Sequence, residues 1–171
     1  MRRAQWQRQA GGRLCYNFKG RHAVIVEHRT IECSTQGHDH IVDLTGQVEA
    51  AISESGVTVG QAALLVEGST AALTTLEFEP GLVNHDVSTA LEGIAPRDAR
   101  YEHEETWHDD NGHSHVRASL VGPSLALPIV DGRVPLGTWQ QIVLIDSDTR
   151  SRRRIVHMSI IGVEGEGTCP A

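Results

Sequence analysis

Aromatic residues are scarce in this chain of 171 residues, at 4% of the sequence. A hydrophobic core must therefore be built from Val, Ile, Leu and Ala, which the hydrophobic content of 39% supplies. A chain of this length is expected to form one domain whose core needs no disulfide or structural metal to hold it.

Cysteine and long apolar runs are also nearly missing. Cys15, Cys33 and Cys169 are odd in number, widely spaced and in no CxxC pair, which argues against a disulfide framework or a zinc ribbon and fits a reducing compartment. No apolar stretch approaches the roughly 20 residues that cross a bilayer. The sequence thus predicts a soluble, cytoplasmic protein without a membrane partner. It also lacks a P-loop, a GxGxxG motif and a local Ser-His-Asp motif.

Acidic residues are absent from the first 22 positions, although the whole chain has a formal charge of -7. This leader lacks the apolar run of a secretory signal and is poor in Ser for a transit peptide. We predict a basic, disordered extension over residues 1–21, a domain over 22–165 and a tail over 166–171. The acidic body argues against nucleic acid as a partner, because phosphate neutralisation needs a clustered basic surface.

Hydrophobic patterning predicts an α+β fold, a largely antiparallel sheet or sandwich with two to three helices. Helical spacing predicts a helix capped by Asp43 or Thr45 and ending near Gly56, a second between Pro80 and Pro96, and a short third over 114–121. Residues 97–111 show no hydrophobic periodicity and predict a long loop with a function. Alternating, β-branched runs predict strands over 22–33, 40–44, 57–66, 69–78, 124–130, 136–146 and 153–163.

Histidine is concentrated between positions 103 and 115, among acidic residues. Neutral imidazole is the commonest metal ligand in proteins, and two His at i and i+2 of an extended backbone point to the same side. We therefore predict a metal site formed by His103, His113 and His115, with His108 the weakest candidate. Asp109 or Asp110 would add an oxygen ligand or orient an imidazole. The alternative is a solvated polar loop.

The metal itself is left open by these residues. A His-rich ligand set favours Zn, Ni, Co or Fe, whereas a carboxylate-rich set would favour Mg or Mn. We expect a divalent ion, with Zn or another transition metal favoured and Mg as the alternative.

A hydroxyl-rich run follows Gly68, a residue that lets a ligand approach the backbone. Ser69 and Thr70 are candidates for phosphate binding, although Thr is also simply a good strand residue. Glu77 stands at a strand end and is a candidate general acid or base or a metal ligand. With Asp110 and Asn111 it forms the predicted catalytic set, and an exposed charge is the alternative for it.

Two further segments offer groups that recognise phosphate. Thr138 and Gln140 flank Trp139, which is expected in the core or in an interface. Arg152 and Arg154 begin the last predicted strand, and their guanidinium groups suit bidentate phosphate contacts. Such a basic run is otherwise a solvated or partner-facing patch.

Four separated blocks of this sequence resemble the YjbQ-like family of secondary thiamine-phosphate synthases. The likeness extends from about Val24 to Gly162 and leaves the basic leader outside. The blocks are GSTAALTTLEFEPGL, YEH at 101–103, DDNGHSHVRASLVGPSLALP, and LGTWQQIVLID followed by RRR.

The resemblance implies a compact α+β fold, a homotrimer and a metal-bearing cleft at His residues that match His103 and His115. It also implies an activity that joins hydroxymethylpyrimidine diphosphate to a thiazole phosphate and releases pyrophosphate, regarded in the family as a possible side reaction. A metal-dependent phosphohydrolase and a non-enzymatic metal- or metabolite-binding trimer are the alternatives.

One position departs from the family pattern. Many members have a His where this chain has Gly68, so one ligand is expected to be missing. Our hypothesis is that His113 replaces it, because His113 lies two residues before His115. Deleting His113 would then weaken metal binding as much as deleting His115 does.

Overall fold

A computed structural model of the chain describes residues 6–8, 14–18 and 21–164. Within these ranges the chain is a single α+β domain of two antiparallel sheets and four α-helices. The strands are β1 (Trp6–Arg8), β2 (Leu14–Phe18), β3 (Arg21–Thr35), β4 (His40–Asp43), β5 (Val57–Val66), β6 (Ala71–Glu77), β7 (Ser124–Ile129), β8 (Gln140–Asp146) and β9 (Arg152–Glu164). The helices are α1 (Thr45–Ser55), α2 (Val87–Ile94), α3 (Glu102–Trp107) and α4 (Gly112–Val121), and a π-helical turn, Leu82–Asp86, precedes α2. No helix in the described part is long and apolar enough to span a bilayer.

The strands divide between a six-stranded sheet in the order β1-β2-β3-β9-β5-β7 and a three-stranded sheet in the order β4-β8-β6. Strands β3 and β9 form the longest pair, in register from Val24 opposite Val163 to Thr35 opposite Arg152. The predicted fold class is thereby confirmed.

The main core lies between the two sheets. Alternate residues of β9, namely Val156, Met158 and Ile160, are fully buried, as the two-residue period of a strand requires. Leu144 of the small sheet and Ile52 of α1 belong to the same cluster. Aliphatic side chains thus fill this core, as the scarcity of aromatic residues predicts.

Strand β8 is buried on both of its faces. Ile142 and Leu144 face the main core, whereas Val143 and Ile145 pack with Leu91 of α2 in a second cluster. A strand that is covered on both sides is continuously apolar rather than alternating. Because β8 carries four consecutive aliphatic residues, both faces of the three-stranded sheet can be covered. This sheet forms the middle layer, between the large sheet and α2.

The predicted strands over 57–66 and 69–78 exist as β5 and β6, but they lie in different sheets. The chain crosses from one sheet to the other at Gly68, whose φ of 103° is one that side chains with a Cβ rarely adopt. The hydrophobic pattern locates both strands, yet it carries no information on which sheet each one joins.

The predicted loop over 97–111 contains a helix, α3, that the sequence analysis missed. Its six residues, Glu102–Trp107, show no apolar periodicity, because none of them is buried. Three acidic residues in its first turn complement the positive end of the helix dipole. The prediction of a loop was therefore wrong for these residues.

The predicted disordered extension over 1–21 is contradicted where the structure describes it. Strand β2 pairs with β3, with Cys15 opposite Ile25, and β1 pairs with β2. These eight residues therefore extend the large sheet. The rest of the predicted extension and the predicted tail over 166–171 lie outside the described residues.

Candidate functional site

The candidate site is built around two imidazole rings, those of His103 on α3 and His115 on α4. Their centroids are 4.4 Å apart and their planes are inclined by 50°. The two residues meet because α3 ends at His108 in a left-handed conformation and α4 begins at Gly112, so that the chain reverses within four residues. Two of the three predicted metal ligands are thus brought together.

Asp109 and Asn111 complete the polar surroundings of His103. The Nε2 atom of His103 lies 3.3 Å from Oδ1 of Asp109. With its amide nitrogen turned toward them, Asn111 donates to Oδ1 of Asp109 over 3.1 Å and to Nε2 of His103 over 3.2 Å. In this arrangement the Nε2 lone pair accepts the Asn111 amide proton, so a metal ion at Nε2 would displace this hydrogen bond.

The environment of His115 favours the neutral imidazole. Burial and then the nearby His103 lower the pKa of His115, against a hydrogen bond to the backbone of Ser69 that raises it. Because that hydrogen bond favours the protonated ring, the ring is its donor and the backbone carbonyl its acceptor. One ring nitrogen is thereby occupied and the other keeps its lone pair, as in most metal-binding histidines.

His115 opens onto a cleft of about 520 Å³ beside the crossover from β5 to β6. The hydroxyl of the exposed Ser69 lies at this cleft, where it is available to a ligand. A side chain at position 68 would meet the guanidinium of Arg154, 2.8 Å from the place of a Cβ. The cleft is lined by Gly68, Ser69, Ala71, His115, Ala118, Ser119 and Pro123.

A buried ionic network lies behind this cleft. Arg154 donates to both carboxylate oxygens of Asp146, over 2.7 and 2.6 Å, and to the hydroxyl of Thr70 over 2.7 Å. Thr70 donates to Asp148 over 2.9 Å, and Arg152 donates to the same carboxylate over 2.9 Å. Three of the predicted phosphate-binding residues are thus gathered, but their polar groups bind one another and two aspartates.

The charges in this network are compensated within the protein. Burial alone would raise the pKa of Asp148, but hydrogen bonds from Arg152 and Thr70 hold that pKa below its usual range. Arg154 is 7% exposed and Asp146 fully buried. A phosphate group would therefore find Ser69 accessible, whereas the Nε and Nη2 atoms of Arg154 are already engaged by Asp146 and Thr70.

His113 occupies a different environment from His115. Residues two apart on an α-helix are rotated by about 200° around its axis, and residues 112–121 form α4. The expectation that His113 and His115 point to the same side, which assumed an extended backbone, is therefore wrong. His113 is 3% exposed, its ring lies 6.3 Å from that of Tyr101, and burial followed by the charge of Arg117 lowers its pKa.

A second buried ionic network surrounds His113. Arg117, 1% exposed, donates to Asp39 over 2.6 Å and to the carboxylate of Glu92. Arg97 donates to the same oxygen of Asp39 over 3.0 Å. Oδ1 of Asp39, Nε of Arg97 and Nδ1 of His113 are buried polar atoms without a hydrogen-bond partner.

Glu77, Thr138 and Gln140 lie away from the imidazole pair. Glu77 is opposite Gln140 at the last position of β6, whereas the cleft adjoins the first position. Seven residues of a strand extend over about 20 Å. Gln140 donates to Thr75 over 2.7 Å and accepts from the backbone of Gly137. Within one subunit, these three predicted site residues do not reach the His103–His115 pair.

Asp110 also points away from the site center. It is exposed, and its Oδ1 accepts a hydrogen bond from Thr149 over 3.0 Å. Asn111 is 8% exposed and contacts His103, so of the predicted catalytic set only Asn111 lies against the imidazole pair.

The buried carboxylates Asp39, Asp146 and Asp148 were not predicted from the sequence. Asp39 binds Arg117, 78 residues away, whereas Arg154 and Arg152 lie only 8 and 4 residues after Asp146 and Asp148. The only local signal was the pair of aspartates directly after the apolar run of β8. A carboxylate beside a buried strand end needs a cationic partner.

Fold and site together define an α+β protein of two antiparallel sheets with an imidazole-lined cleft at the sheet crossover. The sequence model of the UPF0047 protein YjbQ-like family matches residues 29–163. The chain belongs to this UPF0047 YjbQ-like family, which confirms the resemblance seen in the sequence.

Relatives with similar sequences carry the same family name. A UPF0047 protein of Methanocaldococcus jannaschii is 36% identical over 131 residues, which cover 77% of this chain and 91% of the relative. UPF0047 protein YugU of Bacillus subtilis is 31% identical over 135 residues, 78% of this chain and 98% of the relative.

Solved structures share the fold. The crystal structure of a YbjQ-like protein of unknown function from Sulfolobus solfataricus P2 has a TM-score of 0.76 and 32% identity, covering 81% of this chain and 99% of that chain. A hypothetical protein from Aeropyrum pernix K1 has a TM-score of 0.73 and 30% identity, covering 80% and 98%.

Proposed function

We propose that this protein is a metal-dependent enzyme that acts on a small phosphorylated substrate in the His103–His115 cleft. The reaction we propose is that of a thiamine-phosphate synthase, which joins hydroxymethylpyrimidine diphosphate to a thiazole phosphate and releases pyrophosphate. The observation that carries the proposal is the pair of imidazole rings, with centroids 4.4 Å apart, beside Asp109 and an open cleft. The choice of reaction rests on the family resemblance.

The residues present fit a divalent transition metal by their chemistry. Two imidazoles and one carboxylate are the ligands that Zn and its neighbours prefer. The 3.3 Å between Nε2 of His103 and Oδ1 of Asp109 is close to the spacing of two ligands on one ion, about 3.3 Å for bonds of 2.0 to 2.1 Å at a tetrahedral angle. In the described residues no three His, Cys, Asp or Glu side chains are already placed to hold one ion, so His103, His115 and Asp109 would have to move together to bind it, with water or substrate as the further ligand.

A metal bound by His103, His115 and Asp109 would supply the positive charge that a diphosphate leaving group needs. This charge matters because Arg152 and Arg154 are already compensated by aspartates. Ser69 and the backbone at Gly68 would position the phosphate, and Asn111 would hold the Asp109 carboxylate in place.

The first test compares the untagged wild type with the His103→Ala, His115→Ala double variant at matched folding. We expect about one metal ion per subunit at this site in the wild type and its loss in the double variant, as measured by mass spectrometry of the dialysed protein. Product formation from the two substrates should fall at least 100-fold, since both imidazoles that would hold the metal are gone. His85→Ala is the matched control, because His85 is an exposed imidazole paired with Asp86.

The outcomes of this test separate the possibilities. Equal metal content and equal turnover in the double variant would refute the site. Metal loss without product formation by either protein would leave a metal- or metabolite-binding protein in place of a transferase.

A phosphohydrolase is the second candidate, and the compensated arginines favour it. Because the Nε and Nη2 atoms of Arg154 and the Nε atom of Arg152 are bound to aspartates, they are not available to a second phosphorylated substrate. In this reaction Asp109 would receive the proton of the attacking water in place of Glu77, which stands at the other end of β6. Turnover of phosphoesters without a thiazole acceptor would identify this activity.

A further inference from the structure

A second group of histidines lies on the outer face of the large sheet. In the β3–β9 pair His28 is opposite Ser159 and His157 is opposite Thr30, so the two histidines are diagonal neighbours. The alternate residues Val156 and Met158 are fully buried, which places His157 on the solvent side of the sheet. Glu67, directly after β5, reaches the same face.

These three side chains form a continuous hydrogen-bonded chain. Nε2 of His157 lies 2.6 Å from Oε1 of Glu67, and Nδ1 of His157 lies 3.2 Å from Nε2 of His28. The rings are stacked, with centroids 5.4 Å apart and planes inclined by 27°.

Hydrogen-bond chemistry assigns the protons in this chain. A carboxylate only accepts, so Nε2 of His157 must carry the proton that it shares with Glu67. In the neutral ring Nδ1 of His157 is then an acceptor, and Nε2 of His28 is its donor. A carboxylate that fixes the tautomer of a histidine and raises its basicity is the usual partner of a metal-binding imidazole.

We propose that His28 and His157 form a second transition-metal site, with Glu67 as the positioning residue behind His157. Two imidazole nitrogens bound to one ion at 2.0 to 2.1 Å and a tetrahedral angle are about 3.3 to 3.4 Å apart. The observed separation of Nδ1 and Nε2 is 3.2 Å. The two nitrogens are therefore already at the spacing of two ligands on one ion.

Binding requires one change of tautomer. The proton of His28 moves from Nε2 to Nδ1, which frees the Nε2 lone pair while the total number of protons on the pair stays constant. The two nitrogens then face one ion. Because His28 is exposed, water or a ligand from solution can occupy the remaining coordination positions of that ion. Imidazole donors select Zn²⁺, Ni²⁺ or Cu²⁺ over Mg²⁺ or Ca²⁺.

This site is distinct from the His103–His115 cleft. Arg154, which lies behind that cleft, is on the buried face of β9, whereas His157 is on the outer face three residues later. The two sites can therefore be removed independently.

The test uses untagged full-length protein with His103→Ala and His115→Ala as the parent, stripped with a chelator and titrated with Zn²⁺ alone. We expect the parent to bind one ion, measured by equilibrium dialysis with mass spectrometry. His28→Gln or His157→Gln added to it should weaken binding at least 10-fold. Glu67→Gln should weaken binding about 10- to 100-fold, as loss of a carboxylate behind a ligand does. His85→Gln is the control and should change nothing.

Absence of zinc binding by the parent would overturn the proposal, and so would equal affinity in the parent and in either histidine variant. Should the parent fold poorly, the same single variants are made in the wild-type protein. There the proposal requires His157→Gln to lose one zinc ion per subunit, and an unchanged zinc content would overturn it. Titration with Co²⁺ gives a second measurement, because the visible absorption of bound Co²⁺ is more intense at a lower coordination number. We expect this absorption to fall in His157→Gln.

Discussion

At the scale of single residues, local composition identified the imidazoles but not their partners. His103 and His115 stood out because histidines and carboxylates are concentrated in one short segment. Asp109 was foreseen as a possible ligand for the same reason. Arg117 was not, since one arginine in a short helix carries no sign that it is 1% exposed and bound to an aspartate 78 residues away.

Arg117 provides a prediction about stability. The substitution Arg117→Met leaves the buried carboxylate of Asp39 with two hydrogen-bond donors, the guanidinium group of Arg97 and the hydroxyl of Ser88. Removing one member of a buried ion pair typically costs about 3 to 5 kcal/mol. We expect a loss of this size in the free energy of unfolding, measured by urea denaturation monitored by circular dichroism.

The control for this prediction is Arg153→Met. Arg153 pairs with Glu32 on the surface, with side chains 73% and 48% exposed, and an exposed pair contributes about 0 to 1 kcal/mol. Comparable losses in the two variants would show that the buried network around Asp39 has no special weight.

At the scale of elements, the direction of each histidine depends on the helix that carries it. His113 and His115 would share a face in a strand, but α4 turns them apart. The pattern could not decide this, because the segment before residue 114 is mostly polar and its few apolar residues show no helical period. The α3 helix was missed for the same reason.

The end of α3 provides a second prediction. His108 has a φ of 55°, a left-handed conformation that costs a residue with a Cβ about 1 to 2 kcal/mol. His108→Gly should therefore raise the free energy of unfolding by about 0.5 to 1 kcal/mol, since part of the gain is offset by the greater freedom of glycine in the unfolded chain. Thermal unfolding at two pH values would measure this change in the free energy of unfolding.

The matched substitution is Thr106→Gly, two residues earlier and inside the helix. There glycine should lower the stability, because its conformational entropy opposes helix formation. A loss of stability in both variants would contradict the explanation based on backbone conformation.

At the scale of the whole molecule, the predicted site residues fall into two groups. Ser69, Thr70 and Arg154 adjoin the first residue of β6, whereas Glu77 and Gln140 lie at its last residue. Only the pairing of β6 with β8 reveals this division. Because of this division, the two groups of residues can take different roles within one subunit.

Trp139 leads to a prediction about assembly. It is 69% exposed, so the fold of one subunit excludes the core as its location. The family resemblance implies a homotrimer, and we therefore expect a particle of three 18.6 kDa chains in light scattering. Trp139→Ala should shift the particle toward smaller species at low concentration, because exposed tryptophans are frequent anchors of interfaces.

Trp107, 70% exposed and located on α3, serves as the comparison for Trp139. Trp107→Ala tests whether loss of any exposed tryptophan changes the mass. A wild-type protein that elutes and scatters as a monomer would refute the trimer.

The class of fold, most strand and helix positions, the aliphatic core and the imidazole-rich segment all follow from the amino-acid sequence. These depend on composition and on local periodicity, which reflect the burial of one face of each element. Tertiary packing places β5 and β6 in different sheets, brings His103 but not His113 to His115, and pairs Arg154 with Asp146. Although Arg154 and Asp146 are only 8 residues apart, each of these arrangements depends on which faces of the elements pack together, a choice that no local pattern contains.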